Sequence, residues 1–586
     1  VLPGIRNLLR RNMIDSGTSL NLYVGVTAHR DLVPGEIPGI EKRVSAFLGE
    51  LRRKFSGLSL HLITPLAEGG DQLAARVALE MDIPIVAVLP MEQSDYEQDF
   101  NTDQSLAQFR DLLAASSEVI VMPPTRRNEE MQASGYSSDR QAQYAQLGIF
   151  VSNHCQILLA IWDGKDGEFP GGTGNVLHYH LTGVLEGFAD VRAADLLANN
   201  ENDLAYHVVC SRERVDGSPA ADLNPLDTYW ITSQRGRETG RRIPPEYRLM
   251  LDRLEEFDAD AEKYARDIEL SGITLLDERP DLELPAGAHP ADLFYRTADW
   301  LALHFQKRVR LSQRATYFLA AMMGLVFLVY SEYSGPSWMV LTFLALFFSG
   351  VALHLIGERR QWYRKYLDYR ALAEGLRVQI YWNLSGVVNP TSAEFAYDSF
   401  LNKQDVEVGW IRHVMRSASM RRARGAQPDP GWVDWVVEQW VGNEGNGKGQ
   451  LAYYSQRLHQ NATHHRRTSI LGAVCLWSGI AVAFLLLFFG SRASEEQMQI
   501  MLVLMGALPL IAAVRDAYAH KKAEKELIRQ YDFMGRIFRN ASKLLRESSD
   551  LGLKRRVLRA LGEAALEEGA EWLLTHRERP LEYSTL

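Results

Sequence analysis

The stretch SILGAVCLWSGIAVAFLLLFFG, Ser469–Gly490, decides the fold class of this chain. It contains no Asp, Glu, Lys or Arg and exceeds the ~18 residues that mark a spanning helix. Three more apolar blocks share this character: Ala315–Tyr330, Trp338–Ile356 and Met498–Val514. Buried core helices are the alternative, but the blocks come in two pairs joined by short polar loops, the economical way to satisfy backbone groups in lipid. We therefore predict four membrane crossings in two hairpins.

Positive charges flank the blocks on the sides away from the two loops. They are Lys307, Arg308, Arg310, Arg314, Arg359, Arg360, Arg364, Lys365, Arg466, Arg467, Arg515, Lys521 and Lys522. The loops Ser331–Ser337 and Ser491–Gln497 hold only Arg492. The positive-inside rule then places both loops outside the inner membrane and both termini in the cytoplasm. The N-terminal Val1–Asp15 lacks the apolar core of a secretory signal.

The blocks contain no charged residue, which argues against a proton relay or an ion-coupling site. Pro509 is predicted to kink the fourth helix. The loops carry Glu332, Glu495 and Glu496, which in a homo-oligomer could form acidic rings that attract cations. The alternative is that these are ordinary solvated loop charges.

The second half contains an internal repeat. Arg359–Asn383 and Lys521–Leu544 each follow a membrane exit and have apolar or aromatic residues at helical spacing. We expect each to continue the spanning helix into the cytoplasm. Ser417–Gly431 and Gly442–Gly449 are predicted linkers, because they are rich in Gly, Pro and polar residues.

This repeat resembles the SLATT family, a two-span hairpin with flanking helices often found beside nucleotide-sensing domains of bacterial conflict systems. The resemblance covers about residues 295 to 560. Besides the hairpins, it rests on YRALAEGLR, Tyr369–Arg377, and on the VDWVVEQW…AYYSQRLHQNA run around Trp435 and Tyr453. It implies a pore-forming or membrane-disrupting output in bacterial defence or stress. Four spans are too few for a wide pore, so a homo-oligomer is expected.

Residues 20–215 alternate strand and helix patterns. The predicted strands are Leu20–Val26, Ser59–Ile63, Ile83–Leu89, Glu118–Met122, Gln156–Ile161 and Tyr206–Cys210. Helix patterns such as Ile40–Phe55 and Asp71–Met81 lie between them. We therefore predict an α/β Rossmann-like, doubly wound parallel sheet in front of an all-α membrane region. Its ligand should bind at the carboxyl ends of the strands.

Three loops leave those carboxyl ends: GVTAHRD (Gly25–Asp31), PLAEGGDQL (Pro65–Leu73) and DGEFPGGTGNVL (Asp166–Leu177). Glycines let the backbone approach a phosphate, and helix N-termini offer free N–H groups to anions. The candidate ligand-binding residues are Gly25, Thr27, His29, Arg30, Glu68, Gly69, Gly70, Asp71, Gly171, Gly172, Thr173, Gly174 and Asn175. Asp71 could also be a helix N-cap, and His29 a turn residue.

The loops resemble the SLOG superfamily, Rossmann-like domains that include the cytokinin-activating LOG enzymes and the sensor domains of TRPM-type channels. LOG enzymes carry a PGG-x-GT-x-x-E pattern, which Pro170, Gly171, Gly172 and Gly174 match. Asn175 stands in place of the Thr, and His178 in place of the catalytic Glu. The resemblance implies a phosphate cradle for a nucleotide-derived ligand such as an ADP-ribose or NAD-related molecule. The missing Glu speaks against hydrolysis, so we predict no catalytic residue and no further cofactor.

Composition excludes other classes. The net charge of −9 and the pI near 6.0 argue against a nucleic-acid partner. Cys155, Cys210 and Cys475 are far apart and lack the spacing of a metal site or a disulfide framework.

The predicted organisation has five parts: a sensing domain at 1–240, a helical connector at 241–312, a hairpin module at 313–400, a cytoplasmic linker at 401–465 and a second hairpin module at 466–586. The leading hypothesis is a ligand-gated membrane effector. The alternative is a membrane-tethered enzyme that cleaves an N-glycosidic or phosphoribosyl bond, with Glu68 or Asp71 as general acid or base. A membrane anchor without a pore is the third possibility.

Overall fold

A computed structural model describes residues 20–125, 138–167, 169, 171–187, 203–239, 242–276, 282–285, 287–333, 337–387, 400, 406–420, 428–443 and 447–577. The segment Val1–Asp15, Pro170 of the third loop and parts of the predicted loop Ser331–Ser337 and of both predicted linkers lie outside the described residues. The chain divides into two compact units that interleave along the sequence. The first comprises Val1–Trp300, Ala371–Trp432 and Gly562–Thr575, and the second Leu301–Arg370, Val433–Leu561 and His576–Leu586. The five contiguous parts predicted from the sequence are a different division and stay a prediction.

A mixed sheet of eight described strands forms the centre of the first unit. The strands are β1 Asn21–Ala28, β2 Ser59–Thr64, β3 Ile85–Leu89, β4 Glu118–Val121, β5 Ile157–Trp162, β6 Ala205–Val209, β7 Thr228–Thr232 and β8 Gly236–Thr239. Their order is β4-β3-β2-β1-β5-β6-β7-β8. Strands β1 to β6 run parallel and overlap the six predicted strands. Strands β7 and β8 pair antiparallel, which the prediction of a purely parallel sheet missed.

The described helices follow in chain order. They are α1 Ile37–Lys54, α2 Gly70–Glu80, α3 Gln93–Tyr96, α4 Asp103–Ala115, α5 Asp139–His154, α6 Thr173–Thr182, α7 Pro245–Lys263, α8 Ala265–Ser271, α9 Ala288–Tyr333, α10 Ser337–Arg359, α11 Trp362–Ser385, α12 Gly409–Ser419, α13 Gly431–Val436, α14 Gly449–Phe489, α15 Glu495–Lys521, α16 Glu524–Glu547 and α17 Leu551–Arg577. Short 3-10 turns lie at Pro34–Glu36, Glu97–Asp99, Val406–Val408 and Gly490–Arg492, and a π-helical turn at Val437–Val441.

The core of the first unit explains why its strands read as apolar runs. Val24 of β1 and Leu158 and Ala160 of β5 are fully buried, because helices cover the parallel strands on both faces. Side-chain caps mark two helix starts: Thr102 accepts from the amide of Ser105 at α4, and Ser138 begins α5 in the same way. Helix α6 starts without such a cap, a difference that matters for the site.

Four of the described helices are long and apolar enough to cross a membrane: α9, α10, α14 and α15. Their most apolar windows have mean hydropathies of 1.5 to 2.5, yet only 0% to 11% of each window is buried within the protein. Large side chains such as Phe348 (62% exposed) and Leu487 (74% exposed) face outward. Helices of a water-soluble core would bury these faces, so the exposure argues for lipid as their surroundings. The chain is therefore described as a multi-pass membrane protein.

Small residues let the spans approach one another. A Cβ added to Gly479 of α14 would lie 2.8 Å from the ring of Pro509 in α15. A Cβ added to Gly324 of α9 would lie 2.6 Å from Leu510 of α15. Close backbone approach at small residues is the usual way in which spanning helices pack, because lipid offers no hydrophobic drive for their association.

The segments after the second and fourth spans are separate helices. Helix α10 ends at Arg359 before α11 begins, and α15 ends at Lys521 before α16 begins. Gln361 and Ala523 stand at these breaks with φ of 48° and 51°. Left-handed backbone cannot continue a right-handed helix. The prediction that these segments extend the spanning helices is therefore wrong.

The two breaks agree with the predicted internal repeat. Helices α11 and α16 both have 24 residues and both start after a left-handed residue. Counted from that residue, Leu372 corresponds to Met534, and Leu376 corresponds to Phe538. All four side chains are at most 1% exposed. Equivalent positions thus point into a core in both halves.

Candidate functional site

A cleft of about 480 Å³ opens beyond the carboxyl ends of β1 and β5. The chain builds β1 to β4 on one side of the sheet and then returns to place β5 on the other side of β1. Ligands of doubly wound sheets bind at such a switch point, because the two following loops diverge and leave a crevice. The volume is in the range of small-molecule sites, about 300–1,000 Å³.

The two loops that flank the crevice meet at a histidine–aspartate pair. His29 Nε2, after β1, lies 3.1 Å from Asp163 Oδ1, after β5. Asp163 is only 1% exposed, and burial alone would raise its pKa. Hydrogen bonds from His29 and from the backbone N–H of Lys165 outweigh burial, so the pKa of Asp163 lies below its ordinary value. The site therefore contains one carboxylate that stays ionised at neutral pH.

A second buried carboxyl, that of Asp71, has a raised pKa instead of a lowered one. Asp71, in the first turn of α2, is 4% exposed, and burial raises its pKa to about 8 although the guanidinium of Arg30 opposes this shift. Arg30 in turn lies over the ring of Tyr144, 5.6 Å from its centroid. Tyr144 donates to Asp99, and burial together with that hydrogen bond raises the pKa of Tyr144 to about 12. Asp71 is thus protonated at neutral pH, beside a fixed cation.

The glycines of the second loop are required by contact with the first loop. Gly69 has a φ of 86°, and a Cβ there would lie 2.2 Å from the carbonyl oxygen of Arg30. A Cβ on Gly70 would lie 2.4 Å from Ala28 Cβ, and the Gly70 amide donates to the carbonyl of His29 at 3.0 Å. These glycines were expected to approach a phosphate; in the structure they approach protein and hold the first loop in place.

The third loop is braced by its own residues. A Cβ on Gly174 would lie 2.7 Å from the backbone nitrogen of Gly167. Asn175 donates from Nδ2 to the carbonyl of Phe169 at 2.7 Å. The residue that replaces the Thr of the resembled pattern therefore supports the loop from outside the cleft.

The N-terminus of α6 faces the cleft. Its N-cap is Gly172, and no side chain caps it. The amides of Thr173, Gly174 and Asn175 have no acceptor within the helix, because the first helical turn always leaves its N–H groups unsatisfied. The partial positive charge of a helix N-terminus favours an anion at this place.

The structure brings many of the predicted ligand-binding residues together. Those that line the cleft are Thr27, His29, Arg30, Asp71, Gly171, Gly172, Thr173 and Gly174. Gly25 lies beneath the cleft, where a Cβ would be 2.8 Å from Cys155 Sγ. Glu68 is outside the lining and accepts a hydrogen bond from Asn101 Nδ2 at 2.9 Å. His178, at the position of the missing Glu, is exposed and also outside the lining.

Two arginines of the cleft escaped the sequence analysis. Arg212 and Arg214 follow β6 and line the cleft. Arg212 Nε donates to both carboxylate oxygens of Asp31, at 2.9 and 3.1 Å. The available signal was an Arg-x-Arg sequence that begins just after Ser211, the residue following the predicted strand Tyr206–Cys210, at the edge of the sheet where ligands bind.

Two of the three acidic residues proposed for a pore also have a local role. Glu495 and Glu496 are exposed in the first turn of α15, where Ser494 and Gln497 form a capping box. Carboxylates near a helix N-terminus are favourable, so these residues stabilise the start of the helix whatever else they do. Glu332 is half-buried near the end of α9.

No group of three metal-ligating side chains is placed to hold a metal ion among the residues that the structure covers. No protein-family model matches this chain, and no curated protein matches it.

Proposed function

We propose that this chain is a membrane-embedded effector in which a nucleotide-derived ligand, bound in the cleft of the sheet, opens an ion pathway formed by the spanning helices of several copies. The ligand is an ADP-ribose or NAD-related molecule. The chain lies in the inner membrane as two hairpins, with both loops outside and both termini in the cytoplasm. Its role is bacterial defence or stress response, the setting that the resemblance to SLOG and SLATT domains implies.

The chemistry of the cleft supports a phosphorylated sugar as ligand. A phosphate at the N-terminus of α6 would accept hydrogen bonds from the amides of its first turn, and Arg30 and Arg214 line the same cleft. Sugar hydroxyls need acceptors, and the ionised carboxylate of Asp163 provides one. Phe169, 59% exposed at the rim, offers a ring on which a base can stack.

The membrane helices support an output that the ligand controls. Helix α9 is a single helix from Ala288 to Tyr333, so its first turns continue without a break into its span. The most apolar stretches of the spans hold no charge, which suits a conduction or disruption role better than coupled transport. A ligand changes such an assembly only by binding one of its states more tightly.

The observation that carries the proposal is the N-terminus of α6, which no side chain caps and which lines the switch-point cleft together with Arg30. We would test it on Thr173→Val, which removes a hydroxyl from the cleft at nearly constant volume. Calorimetric titration with ADP-ribose, NAD and AMP should show weaker binding to Thr173→Val, whereas His178→Gln, an exposed change on the same helix, should bind like the wild type.

Gating is tested separately from binding. The purified protein is placed in liposomes that contain a potassium-sensitive dye, and each compound that binds is added in turn. The proposal predicts that a bound compound starts ion flux and that Thr173→Val shifts the response to higher concentrations. Confirmed binding without flux across the whole panel would overturn the effector role and leave the binding site intact.

A second candidate is an N-glycosidase acting on nucleotides or phosphoribosyl compounds. It is favoured by the opposite pKa shifts of two of the carboxyls that line the cleft, Asp71 and Asp163, because separated pKa values are the usual mark of an acid and base pair. Free base released during incubation with NAD or nucleoside monophosphates, and lost in Asp71→Asn, would support this reading. Glu68→Gln is the control, since Glu68 lies outside the cleft. An intact ligand after long incubation would exclude this candidate.

A further inference from the structure

A crevice of about 630 Å³ lies between α9 and α10 in the second unit and shares no lining residue with the ligand cleft. Its apolar lining includes Leu319, Ala320, Met323, Leu346, Phe347 and Val351. Its polar lining includes Gln313, His354, Glu358, Arg364, Lys521 and Arg577. We call this space the α9–α10 crevice.

The two kinds of lining are sorted along the helices. On α9 the polar Gln313 precedes the apolar Leu319 and Met323, whereas on antiparallel α10 the apolar Phe347 precedes the polar Glu358. The polar lining residues of both helices thus lie at the ends away from the loop that joins α9 to α10. An occupant that fits has an apolar part within the span and a polar part at its edge.

The polar end carries a held pair of cations. Arg364 Nη1 donates to one oxygen of Asp368 at 3.0 Å, and Arg577 Nη2 donates to the other at 2.9 Å. The Asp368 side chain is fully buried, and its two hydrogen bonds fix the positions of both guanidinium groups. Together with Lys521, the described lining at the polar end of the crevice carries three cations and one carboxylate, that of Glu358. This excess of positive charge among the described residues favours an anion.

The apolar end is open to the surroundings of the span. Phe347 is 46% exposed and Val351 is 38% exposed. Gly350 lies between them, and a Cβ built there meets no atom of the described residues within 4 Å. An extended hydrocarbon chain can lie along this groove.

We propose that the α9–α10 crevice binds one phospholipid with an anionic headgroup, whose acyl chain lies along Gly350 and whose phosphate lies between Lys521 and Arg577. Basic residues at the edge of an interhelical groove recognise lipid phosphates because charge attraction and acyl-chain burial act together at the membrane surface. This inference requires only the membrane location of the spans and is independent of the ligand cleft.

The charge is tested with the full-length protein by native mass spectrometry, using phosphatidylglycerol and phosphatidylcholine with the same acyl chains. The wild type should retain one phosphatidylglycerol per chain in preference to phosphatidylcholine. Lys521→Gln should weaken phosphatidylglycerol binding about five-fold, the effect of one basic residue near an anionic lipid. Lys525→Gln, an exposed change four residues further on, should have no effect.

The groove is tested with Gly350→Phe, which fills it. Phosphatidylglycerol retention should be lost while the melting temperature stays that of the wild type. The matched control is Leu344→Phe on the same helix, which is 41% exposed and outside the crevice. If Gly350→Phe fails to fold, phosphatidylglycerol retention by Gly350→Leu and by Lys521→Gln still tests the proposal.

Three results would overturn the proposal. Equal retention of the two lipids would remove the role of the headgroup. Full displacement of phosphatidylglycerol by glycerol phosphate at equal concentration would show a site for soluble phosphate without an acyl chain. A change of subunit number in Gly350→Phe, with lipid retention unaltered, would show that a second copy of the chain occupies the crevice.

Discussion

At the scale of single residues, Asp71 and Asp163 show how one cleft can hold two carboxyls in different protonation states. The attraction of Arg30 for the Asp71 carboxylate is too weak to offset the cost of burial, so the pKa of Asp71 is raised and the side chain keeps its proton at neutral pH. Asp163 accepts hydrogen bonds from His29 and from the Lys165 amide, which lower its pKa and keep the carboxylate ionised. The arrangement places a hydrogen-bond donor and an acceptor in the same cleft.

The raised pKa of Asp71 predicts a pH dependence with a definite sign. Between the ordinary pKa of 3.8 and the folded value of about 8, the folded protein keeps a proton that the unfolded chain releases. The free energy of unfolding therefore falls as the pH rises through this window. In a thermal-unfolding series the wild type should lose stability relative to Asp71→Asn as the pH increases. Parallel curves for the two proteins would show that Asp71 is ionised in the fold.

The affinity of the cleft for an anion should depend on the protonation state of Asp71. When Asp71 ionises, a negative charge appears in the cleft, so affinity for a phosphate ligand should fall as the pH rises through about 8. Calorimetric titration of ADP-ribose against pH should show this fall in the wild type and a flatter profile in Asp71→Asn. An unchanged profile in the variant would assign the pH effect to another group.

Gly69 tests whether the second loop supports the first. Gly69→Ala would place a methyl group 2.2 Å from the Arg30 carbonyl, in addition to the cost of positive φ. Gly236→Ala is the control, since its φ is 65° and its Cβ meets no described atom within 4 Å. The control should lose about 1–2 kcal/mol of stability, and Gly69→Ala more than that together with its ligand affinity. Equal losses, measured by thermal unfolding, would contradict the contact.

The sequence pattern singled out these glycines as candidates but could not assign their contact partners. The motif PLAEGGD marks a helix start near the switch point, whereas the clash of Gly69 with Arg30 depends on how two distant loops fold back. Arg212 was missed because it lies outside any glycine-rich motif and enters the cleft only through its pairing with Asp31. Local pattern predicts the backbone of a site better than the side chains that complete it.

At the scale of elements, the spans show which contacts hold the membrane region. Gly479→Val in α14 would force a side chain against the rigid ring of Pro509, 2.8 Å away. Gly472→Val, on the same helix, meets only the flexible Arg515 side chain at 3.5 Å. Gly479→Val should lose about 1–3 kcal/mol of stability, typical of overpacking, and Gly472→Val much less. Similar melting temperatures in the same detergent would contradict the α14–α15 packing.

The hydrophobic pattern of the sequence predicted some helices and strands and missed others. Apolar runs identified β1 to β6 and the four spans, because each must bury or expose one kind of surface along its whole length. The helix breaks at Gln361 and Ala523 were missed, since left-handed backbone is usually marked by Gly or Asn. Strands β7 and β8 are short, and β8 holds charged residues, so neither stood out from a loop.

At the scale of the whole molecule, the membrane topology predicted from charge can be measured directly. Arg492→Cys should react with an impermeant maleimide in intact cells, because the loop between the third and fourth spans is predicted to lie outside. Lys543→Cys, exposed on α16, should react only after permeabilisation. Of the natural cysteines, Cys155 and Cys210 are buried and Cys475 is half-buried within α14, so labelling of the unsubstituted protein sets the background. The reverse labelling pattern would invert the topology.

The central claim is that a ligand in the cleft controls conduction by the spans. Single-channel recording of the reconstituted protein, with ADP-ribose or NAD added to one side of the bilayer at a time, tests it most directly. The account predicts discrete openings when a binding compound reaches the side that carries the sheet, and a higher required concentration for Thr173→Val. A silent membrane in the presence of a compound shown to bind would contradict it.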